Sequence, residues 1–171
     1  MTHHRGPAPG VEAEPTVRIV EAFDFPREQV FDAWVRPDLL EQWFAPHGCT
    51  LHIARIDVRR GGGYHWCVRN PTFGECWTMG SYIDVVRPER IVFSSVIADA
   101  AGLPAAPERQ GHDPAWPPET IVRVTFTERG SQTVVTLEQS VSEALAKRTG
   151  AHPSWMEMLD RLARHLARRA E

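Results

Sequence analysis

The fold of this chain is decided by residues 25–66, FPREQVFDAWVRPDLLEQWFAPHGCTLHIARIDVRRGGGYHW. Two short amphipathic helices, each led by a proline that suits a first helical turn, are predicted at residues 26–34 and 37–44. A strand, a turn of three glycines and an aromatic-rich strand follow. Two helices between the first and second strands of an otherwise antiparallel chain indicate a sheet curved around a hollow, and a hollow favours holding a ligand.

Alternation of apolar and polar residues predicts the strands. They are residues 16–23, 51–58, 63–68, 77–86, 90–96, 120–127 and 132–140. In the hairpin of the third and fourth strands we place Cys67 opposite Cys76. Trp66 then faces Trp77, and Met79 lies on the same side of the sheet, so that the hairpin forms an aromatic wall.

A long helix is predicted at the end of the chain. Ser154 and Glu157 have the spacing of a capping box, and Asp160 and Arg161 fall on the exposed side. The apolar positions recur at helical spacing and comprise Trp155, Met158, Leu159, Leu162, Leu166 and Ala170. No other predicted helix is long enough to cover the sheet, so this apolar stripe is expected to pack across the concave face.

Composition and charge exclude several classes of protein. The length of 171 residues suits one domain, expected at residues 16–171. The net charge of −3 does not supply the excess of Lys and Arg that nucleic-acid partners require. No apolar run reaches the roughly eighteen residues of a membrane span, and we expect no membrane partner and a cytoplasmic location. The cysteines Cys49, Cys67 and Cys76 are expected to be reduced.

Two segments are poor in apolar residues or rich in proline. Residues 1–15 are expected to be a flexible tail, because they cannot bury enough surface to offset their ordering entropy. Residues 98–119 carry five prolines in a stretch longer than ordinary connections need. This second segment is either a lid or a disordered loop.

An ordered set of short pieces then points to a family. The pieces are Pro26 with residues 30–34, Arg36 and Pro37 with Leu39 and Leu40, residues 43–46, residues 57–59 with Gly61, Gly62 and Tyr64, residues 80–82 with Val85, residues 87–93, residues 122–126, Gly150 and Trp155. In this order they resemble the START-like superfamily, also called helix-grip or SRPBCC, and within it the activator of heat-shock protein 90 ATPase homologues. The resemblance implies an α+β fold in which a curved antiparallel sheet of about seven strands is crossed by the terminal helix.

The first functional hypothesis is a non-catalytic protein that binds a small hydrophobic or amphipathic molecule, lipids included, between the sheet and the last helix. Arg123 or His47 would fix a polar end of the ligand. No cofactor is expected. The residues predicted to line the cavity are Trp34, Trp43, Phe44, Trp66, Trp77, Met79, Phe93, Arg123, Trp155, Met158 and Leu159.

Other functions stay open. The resemblance also allows a stress-related regulator or co-chaperone that acts on the heat-shock protein 90 ATPase, or a polyketide cyclase-like enzyme, although no catalytic pair can be placed. His65, Cys67 and Cys76 would form a zinc site only if the hairpin brought all three together, and we expect no metal. A homodimer is a further alternative.

Overall fold

A computed structural model describes residues 14–171 and shows a seven-stranded antiparallel sheet of order β1-β7-β6-β5-β4-β3-β2. The strands are β1 (Thr16–Phe23), β2 (Thr50–Ile56), β3 (Gly63–Asn70), β4 (Gly74–Val86), β5 (Arg90–Ala98), β6 (Glu119–Arg129) and β7 (Gln132–Ser142). The helices are α1 (Arg27–Val35), α2 (Pro37–Leu40), α3 (Glu143–Thr149) and α4 (Ala151–Arg169), with a 3-10 helix at Pro107–Gln110. The predicted helix-grip α+β class is confirmed.

Most of the predicted tail, residues 1–13, lies outside the described residues. Its last two residues are held by the end of β7, where the sheet passes into α3. The Pro15 carbonyl accepts a hydrogen bond of 2.9 Å from Glu143 N, and Glu14 Oε1 accepts one of 2.7 Å from Ser142 Oγ.

The two short helices arise where the sequence predicts them. Pro26 caps α1 in an extended conformation, and its carbonyl accepts the first helical hydrogen bonds. Pro37 opens α2, which ends at Leu40 rather than at the predicted residue 44. Tight turns follow α2 and still bury Trp43 and Phe44, so the apolar residues reach the core without a longer helix.

The start of the long helix differs from the prediction. α4 begins at Ala151, directly after Gly150, whose φ of +87° separates it from the unpredicted helix α3. Ser154 is therefore inside α4, where its backbone N–H donates to the Gly150 carbonyl at 3.0 Å, and the capping-box prediction is wrong. The N-cap that the structure does show is Ser142, whose hydroxyl accepts from Leu145 N at the start of α3.

Arg161 does not lie on the exposed side of α4 as predicted. Its Nη1 donates to the backbone carbonyls of Ala45, Pro46 and Cys49 at 2.7, 3.2 and 3.1 Å. One guanidinium thus joins the middle of α4 to the turns after α2, because its fixed array of donors can serve several carbonyls at once.

The register of the β3–β4 hairpin is one residue away from the prediction. Cys67 pairs with Trp77, and Val68 pairs with Cys76. The cause is the connection at residues 71–73, which Asn70 Oδ1 closes by accepting from two backbone N–H groups. A slip of one residue moves every side chain of a strand to the opposite face, so Trp77 and Met79 lie on the convex side of the sheet.

A glycine in β4 provides the space for a buried tyrosine. Gly80 pairs with Tyr64 of β3, whose hydroxyl donates to the Ser94 carbonyl of β5 at 2.7 Å. A Cβ atom at position 80 would overlap the Ser94 carbonyl oxygen and lie 2.8 Å from Tyr64 Cε1. The tyrosine ring can cross β4 only because this position has no side chain.

We therefore expect Gly80→Ala to lower the free energy of unfolding by more than about 3 kcal/mol, because backbone atoms must move to admit the methyl group. Urea unfolding followed by circular dichroism measures the loss. Gly63→Ala is the matched control, since its Cβ would come no closer than 3.3 Å to any neighbour. Equal losses in the two variants would contradict the role assigned to Gly80.

Candidate functional site

The space between the concave face and α4 holds most of the predicted ligand-lining residues. The residues that belong to this main core are Trp34, Trp43, Phe44, Trp66, Phe93, Trp155, Met158 and Leu159. They come from α1, the turns after α2, strands β3 and β5, and the first half of α4. The structure thus brings together side chains that are more than a hundred positions apart in sequence.

The aromatic rings in this core contact one another. Trp34 lies edge-on to Trp43, with ring centroids 4.7 Å apart, and to Phe44 at 5.9 Å. Phe44 in turn contacts Trp66 at 5.2 Å and Trp155 at 5.8 Å. Edge-to-face contacts of this kind are favourable for aromatic pairs. The aromatic cluster, defined as these five residues, is therefore a packed wall in which the rings support each other.

Hydrogen-bonding groups interrupt this apolar interior. Trp155 Nε1 donates to Gln139 Oε1 at 2.8 Å, and Gln139 Nε2 donates to Thr120 Oγ1 at 3.0 Å. Trp43 Nε1 donates to the Ala33 carbonyl at 2.9 Å. Trp34 Nε1 differs from these: the residue is 3% exposed, and its indole N–H has no hydrogen-bond partner within residues 14–171.

Gln139 and Thr120 were not among the predicted site residues. A signal for the first was present, because Gln139 continues the inward-facing alternation of Val135 and Leu137 along β7. A polar residue at an inward position of a strand needs a partner, and that requirement points to a buried network. The same signal marks Thr120, which continues the inward-facing alternation of Val122 and Val124 along β6 and accepts through its hydroxyl from Gln139.

Three predicted lining residues lie elsewhere. Trp77 and Met79 pack on the convex face with Cys67 and Ala98, as the corrected register requires. Arg123 is exposed, because it alternates with inward-facing neighbours on β6. These three residues do not face the space between the sheet and α4.

The residue offered as an alternative polar anchor is also outside the core. His47 is exposed and pairs with Asp160 of α4, with Nε2 3.1 Å from Oδ2. This contact supports the same junction between α4 and the turns after α2 that Arg161 makes from the inside.

The structure does not bring His65, Cys67 and Cys76 together. His65 stacks on Trp77 and places Nε2 2.9 Å from the Asp99 carbonyl oxygen, whereas Cys76 points to the other face of the sheet. Burial raises the pKa of the Cys76 thiol to about 11, which disfavours the thiolate that a metal needs. Within residues 14–171, no three His, Cys, Asp or Glu side chains are arranged to hold a metal ion.

The β5–β6 connection, residues 99–118, lies against the end of the core. Its Trp116 packs on the main core, and its Asp113 forms an ion pair of 3.2 Å with Arg148 of α3. His112 Nε2 lies 3.5 Å from Cys76 Sγ. In this structure the segment predicted to be a lid or a disordered loop packs over one end of the core.

Among the pockets formed by residues 14–171, two with defined walls lie outside the space between the sheet and α4. One, of about 100 Å³, is enclosed by α1, α2 and the end of α4. The other, of about 270 Å³, opens beside the β3–β4 hairpin and is lined by Gly48, Thr50, Arg69, Asn70, Pro71, Gly74 and Glu75.

With this architecture in place, comparison with known proteins identifies the class. Residues 24–167 match the family model described as activator of Hsp90 ATPase homolog 1-like protein. The match covers most of the chain, and the protein therefore belongs to this family, as the sequence resemblance predicted. No functionally curated protein matches the sequence.

Solved structures from several bacteria share the fold. A Chromobacterium violaceum protein is 22% identical with a TM-score of 0.72, over 88% of this chain and 96% of that one. A Staphylococcus epidermidis protein is 22% identical with a TM-score of 0.75, over 94% of each chain. The AHSA1 protein of Silicibacter pomeroyi is 18% identical with a TM-score of 0.72, over 91% of this chain and 99% of that one.

None of the helices within residues 14–171 combines the length and the apolar character that crossing a bilayer requires.

The two tyrosines of the chain, Tyr64 and Tyr82, offer a direct test of the described core. Burial raises the pKa of both hydroxyls well above the ordinary value of 10.0. Below pH 10 both tyrosines are neutral in the folded and in the unfolded chain, and the free energy of unfolding keeps its full value. As the pH rises further, the unfolded chain ionises first, and this free energy falls. The free energy of unfolding should fall by about 1.4 kcal/mol per pH unit for each tyrosine.

Tyrosinate absorbance in an alkaline titration, followed together with circular dichroism, measures this effect. Ionisation should coincide with unfolding, whereas the urea-unfolded chain should titrate at the ordinary value. Ionisation near pH 10 in protein that keeps its native circular dichroism would show that the tyrosines are not buried as described.

Proposed function

We propose that this protein binds, without chemical conversion, a small and largely apolar molecule between the sheet and α4. The bound molecule carries one hydrogen-bond acceptor for the indole N–H of Trp34. The observation that carries the proposal is this buried donor, which has no partner within residues 14–171 although it lies in the aromatic cluster.

The energetics of the donor support this assignment. A buried polar group without a partner costs about 1–3 kcal/mol, and most such groups in folded proteins are paired. Trp43 and Trp155, the neighbouring indoles, both have acceptors. A ligand carbonyl or hydroxyl oxygen beside Trp34 would recover the cost, and that gain would add to the contact of the ligand with the surrounding rings.

The interior groups are suited to binding rather than to proton transfer. Burial keeps the hydroxyls of Tyr64 and Tyr82 neutral by raising their pKa. Gln139 and Thr120, which supply the polar network, have no ionisable group. Amides, hydroxyls and indoles fix the orientation of a ligand, whereas general acid–base chemistry needs a group that titrates near the working pH.

A ligand must displace side chains to enter, because the rings of the aromatic cluster contact one another. The β5–β6 connection is the proposed route, since Trp116 covers one end of the core. The part of the segment next to Trp116 is held by the Asp113–Arg148 ion pair and by the half-buried approach of His112 to Cys76, whereas a backbone bond of 2.9 Å from Ala105 N to the Ile97 carbonyl ties its beginning to β5. Exposed ion pairs contribute little to stability, so opening this part of the cover would cost mainly the packing of Trp116 on the core.

The test compares two probes of nearly equal shape, 2-acetylnaphthalene with a carbonyl acceptor and 2-ethylnaphthalene without one. Trp34→Phe should weaken binding of the acetyl compound about tenfold, because it removes a hydrogen bond that is worth about 1.5 kcal/mol in the dry interior. The same substitution should change binding of the ethyl compound much less. Ligand-observed NMR gives both dissociation constants.

Trp77→Phe is the matched control, since Trp77 lies on the convex face and donates to Glu75. It should leave both constants unchanged. Absence of binding by either probe to the folded protein would refute the proposal. A loss that is equal for the two probes would show that Trp34 acts only through its size, and would refute the assigned hydrogen bond.

A second candidate is the regulation of a chaperone, and it is favoured by the match of residues 24–167 to a family described by its activation of the Hsp90 ATPase. A regulator of this kind should change the ATPase rate of Hsp90 at least twofold when added in excess. The Gly80→Ala variant, if unfolded, serves as the inactive control. An unchanged rate together with no complex on size-exclusion chromatography would exclude this function.

A further inference from the structure

The pocket between α1, α2 and the end of α4 is separate from the aromatic cluster. It has a volume of about 100 Å³. Its lining residues are Gln29, Asp32, Ala33, Arg36, Leu39, His165, Leu166, Arg169 and Ala170. Three helices thus meet around a space that suits a group of a few non-hydrogen atoms, because a water molecule in the liquid takes about 30 Å³.

His165 is the unusual residue in this pocket. It is 6% exposed, and its Nε2 atom has no hydrogen-bond partner within residues 14–171. Burial, together with the positive charges of Arg169 and Arg168, lowers the pKa of the imidazole. A neutral imidazole carries its hydrogen on one of the two ring nitrogens, and a bound acceptor at Nε2 would select the form in which Nε2 donates.

The charges around the pocket favour an anion. Asp32 is engaged by Arg87 of the β4–β5 turn, and Arg36 is engaged by Asp38 at 2.9 Å. Arg169 also lines the pocket and makes no ion pair within residues 14–171. The pocket therefore contains two ion pairs at its rim and one further guanidinium whose charge is not balanced.

We propose that this pocket binds the carboxylate of a short-chain organic acid. The carboxylate oxygens accept hydrogen bonds from His165 Nε2 and from the Arg169 guanidinium. Leu39 and Leu166 supply an apolar wall for the short hydrocarbon part. A carboxylate fits better than a larger anion, because a planar group with two acceptor oxygens matches the guanidinium fork and needs little volume.

The inference does not depend on the proposed function, since no residue of the aromatic cluster lines this pocket. The same carboxylate chemistry occurs in a free acid and at the end of a peptide chain. Propionate and N-acetylalanine are the probes for these two sources. Binding of either supports the proposal, and the tighter probe identifies the source.

Binding is measured by NMR of the full chain, with the ¹⁵N shifts of the His165 imidazole as the local readout. Addition of propionate should move the Nε2 shift toward that of a protonated nitrogen. Arg169→Gln should weaken binding about tenfold, because it removes a charge-assisted hydrogen bond. Arg168→Gln, a neighbour that does not line the pocket, should change affinity less than twofold.

His165→Leu should abolish binding of propionate and N-acetylalanine at this pocket. His165→Gln keeps an N–H donor and should retain part of the affinity for both probes. The arginine pair keeps the test valid if the histidine variants do not fold. No saturable binding of either probe, equal losses in the two arginine variants, or phosphate binding as tightly as propionate would each overturn the proposal.

Discussion

The contact between the apolar side of α4 and the concave face of the sheet is the interaction on which the remaining structure depends. An antiparallel sheet of seven strands presents one face that must be covered, and within residues 14–171 α4 is the only helix long enough to span it. Burial of the apolar side chains of α4 stabilises this contact by about 25 cal/mol for each Å² of apolar surface removed from water. The aromatic cluster forms because side chains of α1 and of the turns after α2 cover the part of the concave face that α4 leaves uncovered.

Much of this architecture was predictable because it rests on local patterns. Period-two alternation marks the strands, and the observed β1 has the predicted bounds, Thr16–Phe23. The register of the β3–β4 hairpin was not predictable, since it depends on whether the connection after Asn70 has an odd or an even number of residues. α3 was missed for another reason: its seven residues bury little, and Ser142 and Gly150 define it more than any apolar periodicity does.

Some residues of the candidate site could be predicted from the sequence and others could not. Residues that are large and apolar, such as Trp34 and Trp155, were found from their type, because such side chains seldom lie outside a core. Polar residues that act in the interior were missed, as Gln139 shows, because their role depends on partners that are distant in sequence. His165 is a further example: it was not among the predicted site residues, and it lines a pocket that forms only where α1 and α2 pack against the end of α4.

The three bonds from Arg161 to backbone carbonyls have a consequence for how this protein can diverge. Because the acceptors belong to the main chain at positions 45, 46 and 49, the attachment of α4 does not require particular side chains there. These three positions can change in sequence as long as the path of the main chain is kept. Retention of these three bonds therefore depends on one residue of α4, because all three carbonyls accept from a single atom, Nη1 of Arg161.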